Sequence, residues 1–153
     1  MNMSVHELQL AKADQVHDEL KKAGVTGLGL IKFSSRYLAK VLHEDEHVHA
    51  AANGRYHEIH GQPFNAAIMV ATDERVLFLD HKPGYTSLDE IQYENISGYH
   101  VALTPWFAAF TLFTRSTNYA LTFARRACIE KLEKYIETMQ HAHNIVSHQV
   151  ISR

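Results

Sequence analysis

Several things are scarce in this chain, and each shortage excludes something. A single cysteine, Cys128, rules out an intrachain disulfide and fits a reducing compartment. Charge of one sign is not in surplus: 15 Lys and Arg stand against 17 Asp and Glu, a formal net charge of -2. That balance gives no electrostatic footprint for nucleic acid, so none is expected as a partner. Apolar runs fall far short of the roughly 20 residues of a membrane-spanning helix. The opening Met1-Asn2-Met3-Ser4-Val5-His6-Glu7 has no basic stretch followed by an apolar one. The expectation is therefore no transmembrane segment and a cytoplasmic location. Hydrolase and phosphate-loop signatures are missing too: there is no Gly-x-Ser-x-Gly elbow, and Gly24 to Gly29 lacks a Gly-Lys-Ser or Gly-Lys-Thr ending.

What is present suffices for one domain with an appendage. The 153 residues are 46% hydrophobic and 21% charged, ordinary values for a globular protein with a substantial core. Ser4-Val5-His6-Glu7 is a capping box, in which hydroxyl and carboxylate each satisfy the other's backbone amide, so a helix starts there. Val5, Leu8, Val16 and Leu20 form its thin apolar stripe, and Gly24 supplies a left-handed cap. Gly24 to Gly29 reads as a connector. Ser34 or Ser35 then caps a shorter helix through Tyr37, Leu38, Val41 and Leu42.

From His47 the pattern changes to short strands separated by turn residues. Strands are expected near 47–53, 55–60, 66–72, 75–81, 86–92, 95–103, 106–115 and 117–124, the first two readable also as one bent strand. The run Ala66 to Asp80 is a hairpin about Asp73-Glu74 whose arms are apolar at nearly every position, so both its faces need cover. Leu77 and Leu79 are expected against Ile96, Phe110 or Phe113 and against Leu132, Ile136 or Met139. From Arg125 to about Ala142 the period becomes helical, with Cys128, Leu132, Tyr135, Ile136 and Met139 on one face. Residues 143–153 read as a tail.

Thr72-Asp73-Glu74-Arg75-Val76-Leu77-Phe78 resembles the T-D-x-R-[LIV]-[LIV]-F hairpin of bacterial pleckstrin-homology (PH) domains of the YokE-like kind. Asp45-Glu46-His47-Val48 with Asn53-Gly54-Arg55-Tyr56, and later Tyr93-Glu94-Asn95-Ile96-Ser97-Gly98, are similar to that family's first strand and its Y-x-x-I-S-x segment, in the same order. The resemblance implies an α+β fold: a bent antiparallel β-barrel of about seven strands, capped by a C-terminal helix. The PH-like domain then spans 44–142, after an N-terminal helical extension over 1–43. It further implies symmetric assemblies, in a family whose members mostly lack an assigned activity.

Candidate chemistry is thin. His47, His49, His57 and His60 are the most ligand-like residues, because a hairpin over 47–60 would bring them together, but zinc needs three or four such groups converging at about 2 Å. Ser34 and Ser35 serve better as caps than as nucleophiles, and Cys128 lies on an apolar helix face. No acid and base pair stands out, so no catalytic residue and no cofactor are assigned. The segment Trp106 to Phe113 is apolar on both faces of a strand. Its cover is either the N-terminal helices or a neighbouring subunit, which makes Trp106, Phe107 and Phe110 the candidate interface.

The reading is thus a non-catalytic interaction module that self-associates or docks a protein partner. The alternative is a binder of lipid, acidic metabolite or metal at the barrel mouth or the histidine-rich hairpin. Lipid-binding PH domains crowd Lys and Arg around their first loop, whereas Asn53 to Pro63 holds Arg55 alone. Arg55 is therefore the one candidate for an anionic ligand, and phosphoinositide is disfavoured because a multiply charged headgroup needs several charge-assisted donors. The purified protein is expected to show no selective retention on phosphoinositide vesicles at physiological salt. Micromolar binding abolished by Arg55→Ala would overturn this.

Overall fold

A computed structural model describes residues 2–25, 28–56, 65–82 and 84–151. Helices α1 (Val5–Lys22) and α2 (Leu28–Val41) precede seven strands: β1 (Val48–Tyr56), β2 (Asn65–Thr72), β3 (Val76–Lys82), β4 (Tyr85–Ile91), β5 (Ile96–Leu103), β6 (Phe107–Thr114) and β7 (Asn118–Arg125). A single 3-10 turn, Tyr93–Asn95, links β4 to β5, and α3 (Arg126–Ile151) closes the chain. The strands form one antiparallel sheet in the order β4-β3-β2-β1-β7-β6-β5, so two meanders join where β1 meets β7. The sheet is bent but not closed, and β4 and β5 are its two edges. This is the PH-like arrangement that the resemblance implies.

The local signals act as their chemistry requires. Ser4 and Glu7 form the capping box, with amide-to-side-chain distances of 2.8 and 3.2 Å. At the other end of α1, Gly24 adopts φ +93°, while its amide bonds Lys21 O and the Val25 amide bonds Leu20 O. That paired pattern is a Schellman motif, and Leu20 and Val25 are both buried beside it. Gly54 answers a different need. A Cβ there would lie 2.7 Å from the Thr122 carbonyl oxygen, so glycine permits the close crossing of β1 and β7 that bends the sheet.

Two apolar clusters cover the two faces. On one face Ala50, Ala52, Met69, Val76, Phe78, Phe110, Leu112 and Leu121 pack with Ile129, Leu132 and Ile136 of α3. On the other, Ile68, Val70, Leu77 and Leu79 pack with Val16 and Leu20 of α1 and Leu38 of α2. The fully apolar hairpin thus finds a core on each side. Leu77 and Leu79 correct the expectation: they face the N-terminal helices, and Val76 and Phe78 take the places opposite α3. With both parities apolar, alternation carried no information about which face was which.

Other boundaries also differ. Helix α2 begins at Leu28, so Ser34 and Ser35 lie buried within it instead of capping it, and Gly29 is helical. Helix α3 continues to Ile151 through residues read as a tail. The strands read as 47–53 and 55–60 correspond to β1, with 57–60 outside the described residues. The N-terminal helices cover β1 to β3 and leave the outward face of β6 to solvent.

One polar network ties these parts together. Glu46, fully buried, accepts Arg75 Nε at 3.1 Å and Arg75 Nη2 at 2.9 Å. Arg75 also donates to the Val41 carbonyl at the end of α2, at 3.1 Å, and pairs with Glu90 of β4 at 3.0 Å. The Thr72 hydroxyl donates to Glu46 and accepts the Glu74 and Arg75 amides, each at 3.1 Å. Asp73 accepts the His47 amide at 3.0 Å, and Lys12 of α1 donates to the Glu46 carbonyl at 2.6 Å. The Tyr93 hydroxyl donates to the Thr72 carbonyl. Burial pushes the Glu46 carboxyl up, but hydrogen bonds from Arg75, Thr72 and the His43 amide outweigh it and hold the group below its ordinary value of 4.5.

Two outcomes are expected. Leu132→Ala, which empties a fully buried position between α3 and the sheet, lowers unfolding free energy by about 2–5 kcal/mol in urea titration. Arg75→Met leaves the Glu46 carboxylate buried and unpaired, at a cost of about 3–5 kcal/mol. Because the folded pKa of Glu46 lies below the unfolded one, its contribution is complete above the unfolded value and is lost as pH falls through the folded value. Melting temperature should therefore drop below about pH 4 more steeply in the wild type than in Glu46→Gln.

Candidate functional site

The histidines do not converge. His47 Nδ1 lies 2.7 Å from Glu19 of α1, whereas the His49 ring stacks on Tyr135 of α3 with centroids 4.9 Å apart. A bulge at His49, where β1 slips against β2, sends the two in different directions. His57 and His60 lie outside the described residues. Residues His43 to His47 have His-Glu-x-x-His spacing, which grips zinc when a helix puts both imidazoles on one face. Here α2 ends at Val41, and His43 turns instead to Glu74 at 2.5 Å. Glu46 stands 3.8 Å from His43 but is already neutralised by Arg75, so that cluster is a polar anchor of the fold.

Nor do the nucleophile candidates gain activating partners. Burial pushes the Cys128 thiol up, and its Sγ lies 3.4 Å from the Gly24 carbonyl, inside the core. Arg125 donates to the same carbonyl at 3.3 Å, and Arg126 pairs with Glu130 one turn along α3. Neither the Cys128 thiol nor these two arginines are set beside a catalytic base.

The exposed aromatic residues do converge, on the outward side of β6 and β7. Trp106 sits at the tip of the β5–β6 turn, 78% exposed, where the Thr104 hydroxyl accepts the Phe107 amide at 3.0 Å and fixes the turn. Phe107 is 45% exposed, and its ring meets Phe123 edge to face at 6.2 Å. The Arg55 guanidinium lies 5.9 Å over the Phe123 ring. Leu103, at the end of β5, is also exposed. Phe110 does not belong here. It is fully buried in the core, whereas Trp106 and Phe107 are exposed.

Phe123 takes its place, and nothing in the sequence signalled it. In regular alternation Phe123 would share a face with buried Leu121. Instead β7 carries two residues, Thr122 and Phe123, opposite the single Ala109 of β6, and Phe123 adopts φ +54°. A left-handed residue in a bulge is ordinarily glycine. A phenylalanine there is strained by about 1–3 kcal/mol and projects a large apolar ring, 64% exposed, into solvent.

Comparisons with known proteins bear on the fold. The family described as bacterial PH domain matches residues 42–138. A solved structure, a DUF1696 family protein with a pleckstrin-homology domain from Shewanella loihica PV-4, is 15% identical. The alignment covers 76% of this chain and 99% of that one, with a TM-score of 0.49. A search of curated proteins finds no match. The family match spans the whole sheet and the first half of α3, and by it this chain belongs to the bacterial PH domain family.

Proposed function

We propose that the domain is a non-catalytic interaction module that pairs with a second copy of itself through Trp106, Phe107 and Phe123 and the adjoining edge strand β5. The observation that carries this reading is Phe123: a strained backbone holds a large aromatic in solvent beside two others. Together the three rings expose on the order of 400 Å², about half of the ~800 Å² per partner in a standard interface.

The edge strand favours a second copy over an unrelated partner. Strand β5 has a neighbour on one side only, and Ile96–Leu103 contains no Lys, Arg, Asp, Glu or Pro to discourage pairing. The opposite edge, β4, carries Asp89 and Glu90. An antiparallel pairing of β5 with its own copy about a two-fold axis is self-complementary, and it sets Leu103 and the aromatic turn at both ends of the joint. Arg55 then serves to orient Phe123 rather than to hold an anion.

Sedimentation at micromolar concentration should give a dimer or larger symmetric assembly. Trp106→Asp or Phe107→Asp should convert it to monomer with unchanged far-UV circular dichroism. Phe123→Gly is the sharper variant: relief of the left-handed strain should leave melting temperature equal or higher, while association weakens about tenfold. A wild-type protein that sediments as a monomer ends the reading.

A further inference from the structure

The open end of the sheet holds a second constellation. A cleft of about 300 Å³ is lined by Tyr56, Phe78 and Tyr119, with Asp89, Asn118 and Thr122 among its polar residues. The three rings are mutually inclined. Tyr56 meets Phe78 at 5.5 Å and 79°, and Phe78 meets Tyr119 at 5.4 Å and 45°. They come from β1, β3 and β7, and the fully buried apolar core lies behind Phe78.

Among the described residues lining the cleft, the charge around these rings has one sign: there is no Lys, Arg or His, and Asp89 stands at its rim. The Tyr56 hydroxyl donates to Asp80, a carboxylate 2% exposed. The Tyr119 hydroxyl has its ionisation pushed up by burial and then by the nearby Asp89 carboxylate. The Tyr119 ring is thereby held neutral, and the Tyr56 hydroxyl points at a carboxylate. Inclined electron-rich faces beside negative charge attract a cation that sheds its water readily, and repel an anion. The volume is at the lower limit of ligand pockets, which suits a compact group rather than a large molecule.

We propose that this cleft is an aromatic cage for a small organic cation, a quaternary or alkyl ammonium group, walled by Tyr56, Phe78 and Tyr119 and neutralised by Asp89. An acidic metabolite is the wrong sign for it. The site is distinct from the self-association face, since it uses neither Trp106, Phe107 nor Phe123.

The test is titration of the full chain with choline chloride, read by NMR shifts and calorimetry. Three comparisons accompany it: the neutral isostere in which carbon replaces the ammonium nitrogen, inorganic phosphate, and phosphatidylcholine vesicles. Choline should shift the Tyr56, Phe78 and Tyr119 signals saturably, and the neutral isostere should bind about tenfold more weakly or less. Tyr119→Leu removes a wall and should weaken choline by a similar factor. Asp89→Asn, an exposed change that leaves the fold alone, should weaken it severalfold at unchanged melting temperature. Choline binding without retention on vesicles assigns the cage to a free cation; retention on vesicles as well assigns it to the lipid headgroup. Equal affinity for the isostere, saturable phosphate binding at the same signals, or no saturable choline response at tens of millimolar would overturn the proposal.

Discussion

The fold depends on one buried ion pair. Glu46 and Arg75 meet where the end of α2, the first strand, the β2–β3 turn and β4 come together, and each group contacts several of these parts at once. A buried pair contributes little net stability compared with apolar packing, because desolvation consumes most of its attraction. Its effect is positional. The guanidinium, the carboxylate and the Thr72 hydroxyl are satisfied together in this arrangement, which ties the register of the turn to the end of α2 and to β4. The Thr72-Asp73-Glu74-Arg75 motif that carries the family resemblance is therefore a structural device, and the chemistry of its residues is spent inside the fold.

With that hub in place, the sheet divides its faces by cover. Strands β1 to β3 are sandwiched between α3 and the N-terminal helices, which accounts for a hairpin apolar on both sides. Strands β6 and β7 receive α3 on one face only. The outward aromatics at Trp106, Phe107 and Phe123 and the cleft at Tyr56 and Tyr119 lie beside this uneven cover. Both proposed sites thus lie where packing stops, and neither draws on the residues of the hub.

Phe123 joins fold to function most directly. A bulge adds a residue to β7 beside the close approach of Gly54 to Thr122, and the added residue is turned outward. Glycine would fill that place without strain. Phenylalanine there is strained and leaves its ring exposed, which packing within the chain does not account for.

Much was settled by local sequence. The capping box, the Gly24 cap, the hairpin about Asp73-Glu74, the succession of strands and the closing amphipathic helix each rest on short-range chemistry, which acts the same way wherever the chain goes. Tertiary structure decided what local patterns leave degenerate. It chose which parity of the Ala66 to Asp80 hairpin faces α3, because both parities are apolar. It drew Ser34 and Ser35 inside α2, since packing outweighs a hydroxyl's preference for a cap. It separated His47 from His49 through a bulge, sank Phe110 into the core, and lifted Phe123 out of it. A one-residue slip in a strand reverses every side chain beyond it, and such slips are set by long-range contacts such as Gly54 against Thr122 rather than by neighbours in sequence.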